Sequence, residues 1–302
     1  MSRHSSPDCI TGFVNIAKPA DMTSQDAVSI VRGALTRATG ERQKAGHLGT
    51  LDPLAEGVLP IALGKAARLF DALAFKKKHY TARFCFGKTT DTLDRGGAVT
   101  RTGDRIPDFS EVQAAAKLFE GETEQVPPAY SAKSVGGKRA YELARKGLTP
   151  ELPPKRVRIY SFAPVSRDGD EFVFDIVCGG GTYIRSLARD IAAALGTSAY
   201  MSALTRLSSG AFSLDDAVSP EEFKREPLAH VLPVDFALGE FKRSTVMGEQ
   251  KTRLLNGVAV ETKEGITAAN GDGEKVVVCD EEGTILGLGE ISDGLLKLKT
   301  RL

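Results

Sequence analysis

The pattern of hydrophobic and polar positions along the chain predicts a mixture of helices and strands. Apolar residues recur every three to four positions in several segments, which is typical of amphipathic helices. These segments are 24–39, the stretch through Leu69 and Leu73, 108–119, 182–195 and a short helix after Ser219. Alternating or continuous apolar runs predict strands at 12–17, 58–63, 79–86, 155–165 and 171–177, the last two forming a hairpin.

Residues that favour helix caps indicate where three of these helices begin. We expect Ser24 and Thr182 to be N-caps, and Ser219 to open a capping box with Pro220 at the first helical position. Beyond about residue 240 the pattern changes to short apolar strands and glycine-containing turns. The sequence therefore predicts an α+β fold followed by a small β unit.

Composition excludes several classes of protein. The chain has 302 residues, 41% hydrophobic and 26% charged, which is typical of a globular protein. Its N-terminus has no apolar signal segment, and no apolar run approaches the roughly 18 residues of a membrane span, so we expect a cytoplasmic protein without a membrane partner. The four cysteines and four histidines are scattered, which predicts neither a disulfide framework nor a metal site. Without a heptad or an apolar dimer stripe, we expect a monomer.

Charge is distributed unevenly along the chain. The formal net charge is +1, but residues 1–213 carry 29 Lys and Arg against 22 Asp and Glu, and the remainder carries 11 against 17. The basic excess is concentrated in residues 65–101 and 129–158. Cations gathered on one part of a fold can hold a polyanion, although a solvated surface explains the same distribution equally well.

The loop AGHLGTLDPLAEGVLPI, residues 45–61, contains three glycines, one histidine and an Asp52–Pro53 pair. On these residues alone, Asp52 suits the N-cap of a helical turn, because aspartate is a good cap and proline suits the next position. The alternative is a loop built to present one carboxylate for chemistry. The glycine spacing matches neither a phosphate-binding loop nor a dinucleotide fingerprint.

Two other segments leave two readings open. If Thr182 caps its helix, Arg185 lies in the first turn and opposes the helix dipole at a cost of roughly 0.3–1 kcal/mol, which a nearby carboxylate would offset. Arg185 could instead point to water. Tyr80 follows Lys76–Lys77–Lys78, a mixture of base and aromatic that suits single-stranded nucleic acid, or it could simply pack in the core.

Six stretches, taken in order, resemble the bacterial tRNA pseudouridine-55 synthases, the TruB family. They are GFVNIAKPADMTSQDAV, GHLGTLDPLAEGVLPIALGKAARL, KKHYTARFCFGKTTDTLDRGG, QVPPAYSAKSVGGKRAYELARKG, GGGTYIRSLARDIAAALG and LTRLSSGAF. The resemblance covers about residues 12–213. It implies a catalytic domain at 1–235, built on a mixed, mostly antiparallel sheet flanked by helices, with a thumb-like RNA-binding insertion at about 127–150. It also implies a small PUA-like RNA-binding domain at 236–302.

The resemblance implies that one uridine in the T loop of tRNA is converted to pseudouridine without any cofactor or metal. By the match of GTLDP, Asp52 would be the nucleophile, and Arg185 would be its positive partner. Tyr80 would stack on a flipped-out base and could assist deprotonation at C5. Tyr183 and Leu204 would line the same pocket.

Other matched residues would act on the RNA or support the site. His47 would occupy the space left in the T loop, while Lys18, Pro19 and Gly49 would support the active-site loop. The basic residues of 129–158 would contact phosphates of the T arm. No obligate protein partner is implied.

The sequence departs from the family pattern at three positions. Leu48 replaces a small polar residue, Glu56 replaces Thr or Ser, and Thr205 replaces a second arginine. Two other functions stay open: a non-catalytic RNA-binding protein on the same scaffold, against which the intact Asp52 argues, and a sister synthase that needs a guide RNA and partner proteins. The thumb-like stretch and the short C-terminal β unit favour a stand-alone enzyme.

Overall fold

A computed structural model describes residues 9–73, 76–131, 134–135, 138–139, 152–261 and 273–302. Most of the predicted thumb-like insertion, including a basic helix expected near residues 141–146, lies outside these residues. Within them the helices are α1 (Ser24–Thr39), α2 (Phe70–Leu73), α3 (Phe109–Lys117), α4 (Ile184–Ala194), α5 (Pro220–Arg225) and α6 (Gly248–Leu255), with 3₁₀ turns at Gly64–Leu69 and Val234–Leu238.

The strands of the described residues fall into two larger sheets and two short hairpins. They are β1 (Gly12–Lys18), β2 (Ala45–His47), β3 (Glu56–Leu63), β4 (Lys78–Phe86), β5 (Lys88–Thr90), β6 (Val99–Thr102), β7 (Gly121–Gln125), β8 (Ser134–Val135), β9 (Lys138–Arg139), β10 (Lys155–Asp168), β11 (Glu171–Cys178), β12 (Ala199–Ser209), β13 (Phe212–Ser213), β14 (Lys242–Thr245), β15 (Val260–Glu261), β16 (Glu274–Cys279), β17 (Ile285–Ser292) and β18 (Leu295–Arg301).

The large sheet confirms the predicted α+β class. Over the described residues its strand order is β1-β3-β12-β4-β11-β10-β7, with β2 and β13 paired at its margins. The pair β3–β12 is parallel, and the other pairings are antiparallel. Helices α1, α3 and α4 cover one face, where they share a core with Phe84 and Phe174.

The continuous apolar run of β3 is explained by burial on both of its faces. Leu59 and Ile61 belong to the core beneath the helices, while Val58 and Ala62 pack on the opposite side with Val277 of β16. A strand buried on both faces has no need of polar residues at alternate positions. The second sheet, of order β14-β16-β17-β18-β15, thus packs against the outer face of β1 and β3. A domain boundary at 235/236 stays a prediction.

Two of the predicted helix caps are wrong. Thr23 caps α1 in a reciprocal capping box with Asp26, and Ser24 is the first helical residue. Tyr183 is the N-cap of α4, while the Thr182 hydroxyl donates to the Gly179 carbonyl. Ser219 does cap α5, accepting a hydrogen bond from the Glu222 amide, and Pro220 is the first helical residue, but the hydrogen bonds of the described residues do not include the return bond that a capping box requires. None of the helices in the described parts of the chain combines the length and apolar character needed to cross a membrane.

Candidate active site

The loop that carries Asp52 is fixed on both sides of this residue. On one side the buried Ser24 hydroxyl donates to the Leu51 carbonyl over 2.8 Å and accepts from the Leu51 amide over 2.9 Å. On the other side the Pro53 carbonyl accepts from the Asp21 amide at 2.8 Å and from Lys18 Nζ at 3.1 Å. Asp52 does not begin a helix; its carbonyl accepts a turn bond from the Ala55 amide. The capping interpretation is therefore wrong, and the carboxylate is left for other contacts.

Arg206 of β12, which the sequence analysis did not identify, hydrogen-bonds to the backbone on both sides of this loop. Its side chain is 1% exposed and donates to the Val58 carbonyl at 2.7 Å and the Gly49 carbonyl at 3.0 Å. Two glycines allow this approach. Gly49 has a φ of +145°, and a Cβ on Gly57, whose φ is +99°, would lie 2.3 Å from the Arg206 carbonyl oxygen.

Arg185, in the first turn of α4, holds the Asp52 carboxylate. Its Nε lies 2.9 Å from Asp52 Oδ2, and one terminal nitrogen donates to Asp52 Oδ1 at 3.1 Å, a bidentate pair. The same guanidinium donates to the carbonyls of Thr92 and Tyr130, each at 3.0 Å. The Arg185 side chain is 7% exposed, so the solvent-facing alternative is wrong.

A second carboxylate, Asp94, completes this group and was not singled out from the sequence. Its Oδ2 lies 3.3 Å from the other terminal nitrogen of Arg185, and its side chain is 11% exposed. Asp94 Oδ1 is fixed by the Thr92 hydroxyl at 2.7 Å and the Gly96 amide at 3.0 Å. Leu93 between them has a φ of +60°, a conformation rare outside glycine, and the resulting turn presents both Thr92 and Asp94 to Arg185.

Burial and neighbouring charges act in opposite directions on Asp52. Burial raises the pKa of its carboxyl, Arg185 lowers that pKa, and the negative charge of Asp94 raises it again. About a third of the Asp52 side chain (33%) nevertheless stays exposed, so a substrate can reach it. The arginine thus favours the ionised form of a carboxylate that is both desolvated and accessible.

Tyr80 lies in the interior of β4, in register with Arg206 of β12 and Ile176 of β11. Burial raises the pKa of its phenol to about 12, and the positive charge of the nearby Arg206 guanidinium partly offsets this increase. The hydroxyl is therefore protonated at neutral pH. Leu204, on the same strand as Arg206 and opposite Ala82, belongs to the same apolar cluster as Tyr80.

Tyr183 is the residue before α4, and His47 is the last residue of β2. The Tyr183 amide donates to Gln125 Oε1 at 2.7 Å, and Gln125 Nε2 donates back to the Tyr183 carbonyl at 3.1 Å, so a distant glutamine fixes the start of α4. Burial raises the Tyr183 pKa. His47 ends β2, and burial together with Arg206 lowers its pKa, which favours the neutral ring. Its buried Nδ1 has no hydrogen-bond partner among the described residues.

Lys18 is buried beneath the Asp52 loop. Its Nζ donates to the carbonyls of Pro19 at 2.9 Å, Met22 at 2.6 Å and Pro53 at 3.1 Å. Burial lowers its pKa to about 8, against opposing contributions from Asp52 and Asp21. Its contacts join the 19–22 turn to the residue that follows Asp52.

The three unusual positions each have a local explanation. Leu48 is 3% exposed and packs in the apolar cluster between the two sheets, where a polar side chain would be poorly accommodated. Glu56 is exposed, and its Oε1 accepts from the Thr205 hydroxyl at 3.0 Å across the parallel β3–β12 pair. Two of the departures therefore contact each other at the surface.

The described residues contain no group of three or more His, Cys, Asp or Glu side chains arranged to hold a metal ion. They do contain a carboxylate, Asp52, in a bidentate pair with the buried Arg185. Solved structures share this fold. The chain aligns with the structure titled "Crystal Structure of a Cbf5-Nop10-Gar1 Complex" at 26% identity and a TM-score of 0.70, over 93% of this chain and 78% of that one. A second, "Structure of H/ACA RNP bound to a substrate RNA containing 2'-deoxyuridine", aligns at 23% identity and a TM-score of 0.71, over 96% and 84%.

The family models and the named relatives place the chain in the pseudouridine synthase class of RNA-modifying isomerases. The family model "TruB family pseudouridylate synthase (N terminal domain)" matches residues 37–184, and "tRNA pseudouridylate synthase B C-terminal domain" matches 185–238. Proteins named tRNA pseudouridine synthase B are 40% identical in Caulobacter vibrioides, over 86% of this chain and 84% of that protein, and 44% identical in Symbiobacterium thermophilum, over 83% of each. The chain belongs to the TruB family, and it is an enzyme.

Proposed function

We propose that this enzyme isomerises the uridine at position 55 in the T loop of tRNA to pseudouridine, with Asp52 as its nucleophile. The names of the relatives support tRNA as the substrate. The observation that carries the proposal is the accessible Asp52 carboxylate in its bidentate pair with the buried Arg185.

The chemistry is an internal rearrangement. The bond between N1 of the uracil and C1′ of the ribose breaks, the base rotates, and C5 bonds to C1′. The C5 proton leaves to solvent and N1 takes up a proton, so no electrons are gained or lost and no cofactor is needed.

Asp52 attacks either C1′ of the ribose or C6 of the base, and both routes need an ionised carboxylate. Arg185 supplies the positive charge that favours this form. Its bidentate contact with both carboxylate oxygens also fixes the orientation of the carboxylate, and so the direction of its remaining lone pairs. Asp94 acts through Arg185 as a positioning residue, because it contacts the guanidinium on the side away from Asp52.

A base inside the folded T loop is out of reach of Asp52, so the target nucleotide is flipped out at a cost of a few kcal/mol. Tyr80 stacks on the flipped base, with Leu204 and Tyr183 lining the rest of the pocket. With its pKa of about 12, Tyr80 serves first as a stacking platform and hydrogen-bond donor. The neutral His47 fills the space that the flipped nucleotide leaves.

Residues 1–235 form the catalytic domain, and 236–302 form a PUA-like domain that extends the RNA contact, as does the basic segment 129–158. We propose a cytoplasmic monomer that requires no protein partner or guide RNA.

The experiment follows tritium release from C5-labelled uridine in an unmodified tRNA transcript, with the parent and Asp52→Asn proteins. Asp190→Asn is the matched control, because Asp190 pairs with Arg189 on the same helix as Arg185 but outside the site. We expect the parent and control to release tritium from the T-loop uridine, and Asp52→Asn to bind the tRNA without releasing any.

Two results would count against the proposal. Tritium release by Asp52→Asn at the parent rate would show that Asp52 is not the nucleophile. Binding without release by the parent would indicate an RNA-binding protein rather than an isomerase.

A further inference from the structure

The start of helix α4, which places Arg185 in the site, is not fixed by a cap of its own. Its N-cap residue is Tyr183, whose side chain makes no capping hydrogen bond. Many helices are closed at this end by a Ser, Thr, Asp or Asn side chain that pairs with a free amide of the first turn. The backbone that leads into Arg185 therefore depends on contacts from outside the helix.

Gln125, the last residue of β7, supplies such contacts. Its Oε1 accepts from the Tyr183 amide at 2.7 Å, and its Nε2 donates to the Tyr183 carbonyl at 3.1 Å. The same carbonyl accepts from the Leu187 amide at 3.1 Å, so Gln125 acts at the first turn of the helix. Gln125 is 2% exposed, and its planar amide holds both backbone groups of the N-cap residue.

The segment 125–131 contacts the same turn a second time, through the Tyr130 carbonyl. This carbonyl accepts from a terminal nitrogen of Arg185 at 3.0 Å. Between the two contacts lie Pro127 and Pro128, which are buried and whose rings fix their φ angles. Segment 125–131 and residues 183–185 thus form a closed ring of contacts, with Gln125 at one end and the Arg185 guanidinium at the other.

One nitrogen of Arg185 links this ring to the carboxylate of Asp52. The terminal nitrogen that donates to the Tyr130 carbonyl is the one that donates to Asp52 Oδ1, at 3.1 Å. A displacement of the start of α4 relative to segment 125–131 therefore changes both bonds together. We propose that Gln125 is a positioning residue for the isomerisation, because it sets the position of Arg185 and, through Arg185, the direction of the Asp52 carboxylate. This inference rests on the proposed function, in which Asp52 is the nucleophile.

The pKa of Asp52 reports whether Arg185 keeps its position. The charged groups that act on this carboxyl are Arg185, Asp94 and Lys18, and Arg185 lowers its pKa both by its charge and by its hydrogen bond. Gln125 is uncharged, so its removal acts on the carboxyl by way of Arg185. A longer contact between Arg185 and Asp52 should raise the Asp52 pKa.

The test replaces Gln125 with methionine, which is similar in size but has neither polar group of the amide. The single-turnover rate of tritium release is measured against pH, with enzyme in excess over the tRNA. The Asp52 pKa is measured by NMR on protein labelled with carbon-13 at the aspartate carboxyls, where the signal of Asp52 is the one missing from Asp52→Asn.

We expect Gln125→Met to lower the single-turnover rate about tenfold, because a small misplacement of a catalytic group is costly for the rate. The acid limb of the pH–rate profile and the Asp52 pKa should both move upward by about half a unit or more. The dissociation constant of the tRNA should stay within about twofold of the parent, since the lost contact acts on the reaction rather than on binding.

Ser186→Ala is the matched control, because it removes a hydrogen bond between the same two parts of the chain. The buried Ser186 hydroxyl donates to the Val126 carbonyl at 2.9 Å, but that carbonyl also accepts from Arg189 at 2.9 Å. The substitution leaves the carbonyl paired and the contacts of Tyr183 intact. We expect a lower melting temperature with an unchanged acid limb and an unchanged Asp52 pKa.

A second variant and the melting temperatures separate positioning from folding. Gln125→Asn keeps a polar side chain in the interior but is one methylene too short to reach both groups of Tyr183, so the Asp52 pKa should move in the same direction by less. Lower melting temperatures for both Gln125 variants with an unchanged Asp52 pKa would make Gln125 a structural residue and overturn the proposal. An equal shift of the pKa in Ser186→Ala would also overturn it.

The two proposals fail separately, because the NMR measurement needs no turnover. A parent protein that binds the tRNA without releasing tritium refutes the proposed function. An unshifted Asp52 pKa in folded Gln125→Met refutes only the positioning role.

Discussion

Replacing Arg185 with lysine keeps the positive charge but removes the geometry on which the site depends. Arg185 makes five contacts, two with Asp52 and one each with Asp94, Thr92 and Tyr130. A lysine has three donors on a single nitrogen, so at least two contacts are lost. Hydrogen bonds to charged groups contribute about 1.5–3 kcal/mol each, which gives a loss of about 3 kcal/mol or more.

If the lost hydrogen bonds stabilise the transition state, their removal raises the activation free energy, and the single-turnover rate of Arg185→Lys should drop by about a hundredfold. The rate is measured by tritium release with enzyme in excess over the tRNA, and the folded fraction is checked by circular dichroism. Arg189→Lys is the matched control, because Arg189 lies one turn further along the same helix and pairs with the partly exposed Asp190. We expect the control to stay within about twofold of the parent, since a partly exposed pair contributes about 1 kcal/mol or less. A rate for folded Arg185→Lys within threefold of the parent would refute the reasoning.

Three further predictions concern the supports of the site. Asp94→Asn should lower the rate about tenfold and move the acid limb of the pH–rate profile to lower pH, because the Asp94 charge raises the Asp52 pKa; a limb that moves upward would contradict this. Ser24→Ala should lower the free energy of unfolding in urea by about 1–3 kcal/mol and reduce turnover, since it leaves both Leu51 backbone groups unpaired; unchanged stability would show that the loop is held elsewhere. Between pH 8 and about 9.5 the free energy of unfolding should rise by about 1 kcal/mol per pH unit for each of Lys18 and Lys78. Each lysine has a pKa of about 8 in the folded protein, below the value of 10.5 in the unfolded chain. In this pH range the unfolded chain therefore binds more protons than the folded protein, so raising the pH favours folding. Lys78→Met should show a smaller rise, and an identical pH dependence would place the effect on other groups.

Local interactions explain why the element pattern could be predicted. The hairpin of β10 and β11, the strand β4 and the helix α3 lie close to their predicted positions, since spacing and turn residues act over a few neighbours. The cap of α1 was wrong by one residue because Thr23 and Ser24 have similar cap preferences. What separates them is the tertiary contact of the Ser24 hydroxyl with Leu51, 27 residues away.

The residues of the site also divide into those that the sequence indicated and those that only a contact with a distant residue reveals. Asp52, Tyr80 and Arg185 could be named because the resemblance to the TruB family implies a role for each, and it implied none for Asp94, Arg206 or Gln125 in the same stretches. Asp94, Arg206 and Gln125 gave no local signal, since an aspartate after a turn, an arginine in a strand and a glutamine at a strand end are all common. Each acquires its role from a contact with a distant residue.

The sequence by itself determined most of the helices, part of the strands, the absence of a membrane-spanning pattern and the resemblance to the TruB family; the central strand β12 (Ala199–Ser209) was not among the predicted elements. Only the tertiary structure decided that Arg185 meets Asp52, 133 residues away, and that Asp94 lies on the other side of the same guanidinium. It also decided that Lys78 of the lysine run is buried beside Arg206 and Lys155. The physical reason is that hydrophobic periodicity is set by near neighbours, whereas the charge around a side chain depends on which strands pair and in which register.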